Sequence, residues 1–129
     1  LDVIADTFLS VNTPVQNALG NWLTLKPDIQ KQIIERIVSN RAYFETVAKA
    51  AGLGMYYAEG GWYGVLKLPP GKSEEDWTLT LLEKEHVLAH PGYFFDFAEE
   101  PILVLSFLPP PECFHAGVDR IIALTAPGG

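Results

Sequence analysis

The chain is poor in sulfur and in positive charge. Its 129 residues include one cysteine, Cys113, and one methionine. A lone thiol excludes an internal disulfide and suits a reducing compartment. Nine Lys and Arg stand against sixteen Asp and Glu, for a formal net charge of -7. Partnership with nucleic acid or an anionic membrane surface is not expected, because both need clustered Lys and Arg. No run approaches the roughly 18 apolar residues that would span a bilayer. Internal repeats and low-complexity tracts are also missing. The opening Leu1-Asp2-Val3-Ile4 has neither a basic leader nor an initiator Met, and reads as the start of a segment cut from a longer chain. What the chain does have is apolar mass: 48% hydrophobic and 19% charged residues, with seven Phe, five Tyr and three Trp. That composition supports a packed core and argues against disorder.

Punctuation and period divide the chain. Thr13-Pro14 places an N-cap residue before a proline suited to a first helical turn, and Val15, Leu19, Trp22 and Leu23 follow at helical spacing. A short helix is expected there, after an extended or loosely helical entry. Pro27-Asp28 repeats the start signal, and the clearest helix is expected over 27–51. Ile29, Ile33, Ile37, Phe44 and Ala48 mark its apolar face, widened by Ile34, Val38 and Val47, and Gly52 stands where a left-handed cap is wanted. Beyond Gly52 the period falls to two. Strands are expected over Leu53–Ala58 and Trp62–Leu68, joined by Glu59-Gly60-Gly61 as an antiparallel hairpin.

Ser73, with Asp76 three residues on, caps a helix carrying Trp77, Leu81 and Leu82. A short strand is expected at His86–Ala89, a turn at Pro91-Gly92, an extended aromatic stretch at Tyr93–Phe97 and a break at Glu99-Glu100-Pro101. Ile102–Leu108 is a near-continuous apolar run, the mark of a central strand buried on both faces. Pro109-Pro110-Pro111 stops it, and Phe114, Val118, Ile121 and Ile122 form a last amphipathic helix before a tail ending Pro127-Gly128-Gly129. The expected fold is α+β: a small antiparallel or mixed sheet of about four strands with helices packed on one face, preceded by a long helix.

Side chains capable of chemistry are scattered. His86 and His90 are four apart, but on a strand that spacing separates them by roughly 13 Å. Adding Cys113 and His115 makes no C-x-x-C or H-E-x-x-H pattern, so no metal site is expected. Cys113 lacks a base at a useful spacing and reads as a small buried or edge thiol. Glu74-Glu75-Asp76 suits the positive end of a helix dipole. Glu83 and Glu85 flank Lys84 on a solvated face. Gly60-Gly61 and Pro91-Gly92 are turns rather than phosphate cradles. None of Lys26, Lys31, Lys49, Lys67, Lys72 and Lys84 lies in a Ser-Lys context. No catalytic or cofactor-binding residue is expected within these residues.

Four strings, in order, carry a resemblance. They are Ala5–Gln16 (ADTFLSVNTPVQ), Gly60–Val65 (GGWYGV), His86–Phe95 (HVLAHPGYFF) and Leu105-Ser106-Phe107 followed by prolines and a helix. Together the chain resembles the C-terminal small domain of a fold-type I, pyridoxal-phosphate-dependent aminotransferase of class I/II. The resemblance implies residues 1–25 as a linker helix from a large domain and 26–129 as the small domain. It implies a parent transferase moving an amino group from a small-molecule amino donor to a keto acceptor. That parent would be cytoplasmic and a homodimer. Pyridoxal phosphate, its Schiff-base lysine and its phosphate site would belong to the large domain, leaving this part inactive alone and closing over the substrate.

Gly61 and Tyr63 are the substrate-facing positions so implied. Val104 is a departure. It stands where the family's R-L-S-F string has the Arg that forks the substrate carboxylate, and an apolar side chain cannot do that. Arg120 in the last helix does not replace it. Altered substrate choice is therefore expected. The alternative reading is a stand-alone small-ligand-binding or regulatory α+β module, and a third is a scaffold dimerising through the long helix.

Overall fold

A computed structural model describes residues 1–7, 11–99 and 101–126. The expectations falling on Phe8-Leu9-Ser10, on Glu100 and on the Pro127-Gly128-Gly129 tail lie outside the described residues. The chain is α+β, with one open four-stranded antiparallel sheet and a long helix ahead of it. It divides into two compact units, 1–33 and 34–129.

A short helix α1 (Asp2–Thr7) is followed by α2 (Thr13–Ala50), 38 residues long. The two helices expected from Pro14 and from Pro27 are thus one, with Pro27 inside it. The missing N–H and ring clash of an interior proline cost about 3 kcal/mol. A single local defect of that magnitude does not end a helix this long. Gly52 does: it adopts φ 72°, its N–H donates to the Lys49 carbonyl at 3.1 Å, and the Leu53 N–H donates to Ala48 at 2.9 Å. That paired closure needs a left-handed residue, which glycine supplies without Cβ strain.

The apolar face of α2 is covered only toward its C-terminal end. Asn40, Phe44 and Ala48 are buried and Ile37 and Val47 partly so, whereas Ile34 and Val38 stay 58% and 61% exposed. In the 1–33 unit, Leu19, Trp22, Leu23, Leu25, Ile29 and Ile33 are all exposed large hydrophobics.

The 34–129 unit holds the sheet. β1 (Met55–Tyr56) and β2 (Tyr63–Lys67) form the expected hairpin, with Met55 opposite Leu66. The helix α3 (Glu74–Glu85) begins at Ser73, whose hydroxyl accepts the Asp76 N–H at 3.1 Å. β3 is His90–Pro91, a 3-10 turn covers Gly92–Phe95, and β4 is Ile102–Ser106. The helix α4 (Pro111–Thr125) starts with proline at its first position, as its fixed φ favours. Strand order is β1-β2-β4-β3.

Two expectations in this stretch are corrected. His86–Ala89 is not strand: His86 closes α3 in the left-handed region (φ 56°), and ladder pairing waits until His90. Tyr93–Phe97 is not extended: Gly92–Phe95 coils into a 3-10 turn that Asp96 ends at φ 57°.

Side chains alternate across the sheet. Leu66, Leu68, Leu103, Leu105 and Phe107 point to the face where Phe44 and Ala48 of α2, Trp77 and Leu81 of α3, and Phe114, Val118 and Ile121 of α4 complete the core. All three helices therefore lie on one face. Gly64 is fixed by that packing, since a Cβ there would come 2.6 Å from Phe107 Cζ. At the end of β4, Asn40 donates from Nδ2 to the carbonyls of Phe107 and Pro109, both at 2.9 Å, and Arg36 donates to Leu108 at 3.0 Å.

Candidate functional site

Among the described residues no α-helix packs on the opposite face of the sheet. Register puts Tyr56, Tyr63, Val65, Lys67, Ile102, Val104, Ser106 and His90 on it, because Tyr63 pairs with Ser106, Val65 with Val104, and Val104 with His90. What crosses it is the segment after β3. The Phe95 ring lies 5.8 Å from Tyr63 and 6.2 Å from His90, centroid to centroid. Tyr63 and His90 sit on the strands flanking β4, so Phe95 roofs the central strand. Phe97 meets Tyr56 at 5.6 Å and Phe94 meets His90 at 6.1 Å. The face is only half-closed: Tyr63, Phe94 and Phe95 keep 43–63% of their surface exposed.

Two ties hold the roof. Glu74, the first residue of α3, is 2% exposed. Its Oε2 accepts the Tyr93 N–H at 2.9 Å and its Oε1 accepts the Ile102 N–H at 2.8 Å. Gly92 passes so close that a Cβ would meet Glu74 Oε1 at 2.8 Å and Ile102 Cβ at 2.9 Å. The Pro91-Gly92 pair is thus a close-approach site between α3 and β4. At the other end, Lys67 Nζ pairs with Glu99 Oε2 at 2.7 Å, and the Tyr56 hydroxyl donates to the same oxygen at 2.7 Å. Lys67 also stands 4.4 Å over the Tyr56 ring. The hydrogen bonds from Lys67 and then from Tyr56 hold the Glu99 carboxyl below its ordinary value, and the Glu99 partner raises Lys67.

The residues singled out in the sequence fall differently around this face. Tyr63 and Val104 share it. Val104 is 2% exposed, at its centre. Gly61 lies in the turn before β2 at φ 88° with open space around it. None of the three arginines supplies a fork here: Arg36 bonds the Leu108 carbonyl, Arg41 pairs with Glu45 and donates to Ala58, and Arg120 donates to Glu85. The three histidines are apart. His86 caps α3, His90 meets Phe94 and Phe95, and His115 stacks on Tyr43 at 3.7 Å. Among the described residues no three His, Cys, Asp or Glu side chains converge as a metal site would need. Cys113, expected buried or at an edge, is exposed in the first turn of α4.

Glu74, Phe95 and His90 carry this geometry and were not singled out for it. The Glu74 signal was masked, because an acid in a first helical turn is explained by the helix dipole alone. Elsewhere, the Tyr43 hydroxyl donates to Asp119 at 2.5 Å, and that bond, with burial second, raises the phenol's pKa. A cleft of about 300 Å³ opens between α2 and the hairpin, lined by Arg41, Lys49, Met55, Tyr57, Gly64 and Phe107.

No protein-family model matches the chain, and no curated protein matches it. Solved structures do. The chain is similar to BacF from Bacillus subtilis over 99% of its length, with a TM-score of 0.77 and 21% identity. It is similar to an aspartate aminotransferase from Thermotoga maritima over 95%, at TM-score 0.74 and 23% identity. YbdL from Escherichia coli, a protein with a methionine aminotransferase function, matches over 95%, at TM-score 0.72 and 20% identity. These residues have a fold found in aminotransferases, and they span 31–33% of those three chains. Among the described residues no helix is long and apolar enough to cross a membrane.

Proposed function

We propose that these residues are the C-terminal small domain of a pyridoxal-phosphate-dependent aminotransferase, joined through residues 1–25 to a large domain of the same chain. The observation that carries the reading is the fold match over 95% of this chain to about a third of each of two aminotransferase chains. Two features support it: a sheet face covered only by half-exposed rings, and the exposed Leu19, Trp22, Ile29 and Ile33 of α2. Apolar surface of that extent marks a face that another part of a protein covers.

Among the described residues nothing marks a site for the cofactor itself. Lys67 is engaged by Glu99 and Lys72 lies 4.7 Å over the Trp77 ring. Lys26, Lys31, Lys49 and Lys84 are exposed on helices. In this reading pyridoxal phosphate sits on the large domain, where it supplies Schiff-base chemistry with an amine. The small domain contributes its ring-lined face, which excludes water when it closes over a bound amino donor or keto acceptor. Gly61 and Tyr63 lie on its rim.

Val104 belongs to the same reading. A buried valine, with all three arginines bonded elsewhere, leaves this face without a fork for a carboxylate. The parent then holds the carboxylate from another segment, or takes a substrate that is not an ordinary α-amino acid. The parent is proposed to be cytoplasmic and a homodimer.

The test is expression of the full-length gene. The expected result is a visible Schiff-base absorbance that amino donors bleach. A protein with no such absorbance, loaded with pyridoxal phosphate and still unresponsive to amines, refutes the reading. Efficient turnover of common amino acids with no Arg near Val104 refutes the substrate part alone.

A further inference from the structure

β4 is longer than its edge partner. Against β2 it pairs over its whole length, up to Ser106 opposite Tyr63. Against β3 the ladder covers only Leu103 and Val104. The next positions would set Ala89 against Leu105 and Leu88 against Ser106, but residues 86–89 are not strand and the ladder stops at His90. The gap is a cleft of about 370 Å³ whose floor is α4. It lies at the lower end of the size of small-molecule sites, about 300–1,000 Å³.

Its lining has a definite chemistry. The walls are apolar, from Val87, Leu88, Leu105, Phe114, Val118 and Ile121. Among the described residues that line the cleft, the formally charged side chain is Arg120. In a chain with sixteen acids against nine bases, that local reversal of sign selects an anion. Arg120 is held in place by one bond, Nη1 to the Glu85 carbonyl at 2.8 Å. Its other N–H donors stay available for a carboxylate. Gly117 keeps the floor open, since a Cβ there would only just reach Val87 Cγ1, at 4.0 Å.

We infer that this cleft is a binding site for a small apolar monocarboxylate, its hydrocarbon part between β4 and α4 and its carboxylate on Arg120. The cleft borders the ring-lined face at Ser106, and the inference does not depend on the aminotransferase reading.

The probe is 4-phenylbutanoate, titrated into the full-length protein by calorimetry, with 4-phenylbutan-1-ol as the neutral control. One saturable site per chain is expected, with the alcohol binding at least about tenfold more weakly, as loss of one charge-assisted hydrogen bond gives. Arg120→Gln should weaken the acid to the level of the alcohol. Gly117→Leu should fill the cleft and abolish both. Arg120 is exposed, so the glutamine variant carries the test if the leucine variant does not fold. No saturable binding at millimolar probe overturns the site, as does binding that both variants retain. Binding that Gly117→Leu removes and Arg120→Gln leaves intact overturns the carboxylate assignment.

Discussion

The Glu74 carboxylate, at the start of α3, accepts the backbone N–H of Ile102, at the start of β4, at 2.8 Å. Its second oxygen takes the N–H of Tyr93. One buried acid thus ties a helix, a strand and the aromatic roof together. Removing it leaves two N–H groups without a partner, each costing about 1–3 kcal/mol. Glu74→Ala should therefore destabilise the fold by about 3 kcal/mol or more in urea unfolding. Glu74→Gln, which keeps one acceptor oxygen, should cost about half as much.

Glycine positions separate by what a methyl group would meet. Gly92→Ala would press on Glu74 Oε1 and Ile102 Cβ, and Gly64→Ala on Phe107. Each should lower stability by about 1–3 kcal/mol, the usual cost of overpacking. Gly60, with nothing within 4 Å, should tolerate alanine to within about 0.5 kcal/mol. Thermal melts of the three variants side by side check the ranking.

Asn40 is fully buried and gives both amide hydrogens to carbonyls at the end of β4. Asn40→Leu fills similar volume but strands the Phe107 and Pro109 carbonyls. A loss of about 2–4 kcal/mol is expected. Hydrogen exchange should rise first at Phe107, whose N–H bonds Trp62 across the sheet at 2.7 Å.

The Lys67–Glu99–Tyr56 group sets a pH window. Glu99 is held below its ordinary value of about 4.5, so its contribution is present above that value and fades as pH falls through the lowered one. Lys67 is raised above 10.5, so its contribution is present below that value and fades as pH climbs through the raised one. Tyr56 ring NMR shifts should move on the acid side, as Glu99 is protonated. In Glu99→Gln the acid-side movement should vanish. Persistence of that movement in the variant would show that another group causes it.

Much of the fold was legible because period and punctuation agreed. Gly52 and Ser73 with Asp76 marked element ends that hydrogen bonds account for. The all-apolar 102–105 run marked the strand buried on both faces. Pro27 misled because a proline at a first turn and a proline inside a long helix look alike locally. His86 and Asp96 misled because a left-handed non-glycine residue has weak sequence signature. The ring-lined face was half legible: Tyr63 and Val104 came from family-like strings, but Phe95 reaches them only through the 3-10 turn. Glu74 was hidden because its partners are backbone groups 19 and 28 residues away.

The outer strands β1 and β3 are two residues each, beside inner strands of five. A sheet built this way offers stray polypeptide almost no ladder to copy, so stacking of one molecule onto another through main-chain pairing has little to start from. Any clumping of these residues on their own should run through greasy surfaces, and mild detergent rather than strand-breaking prolines should cure it.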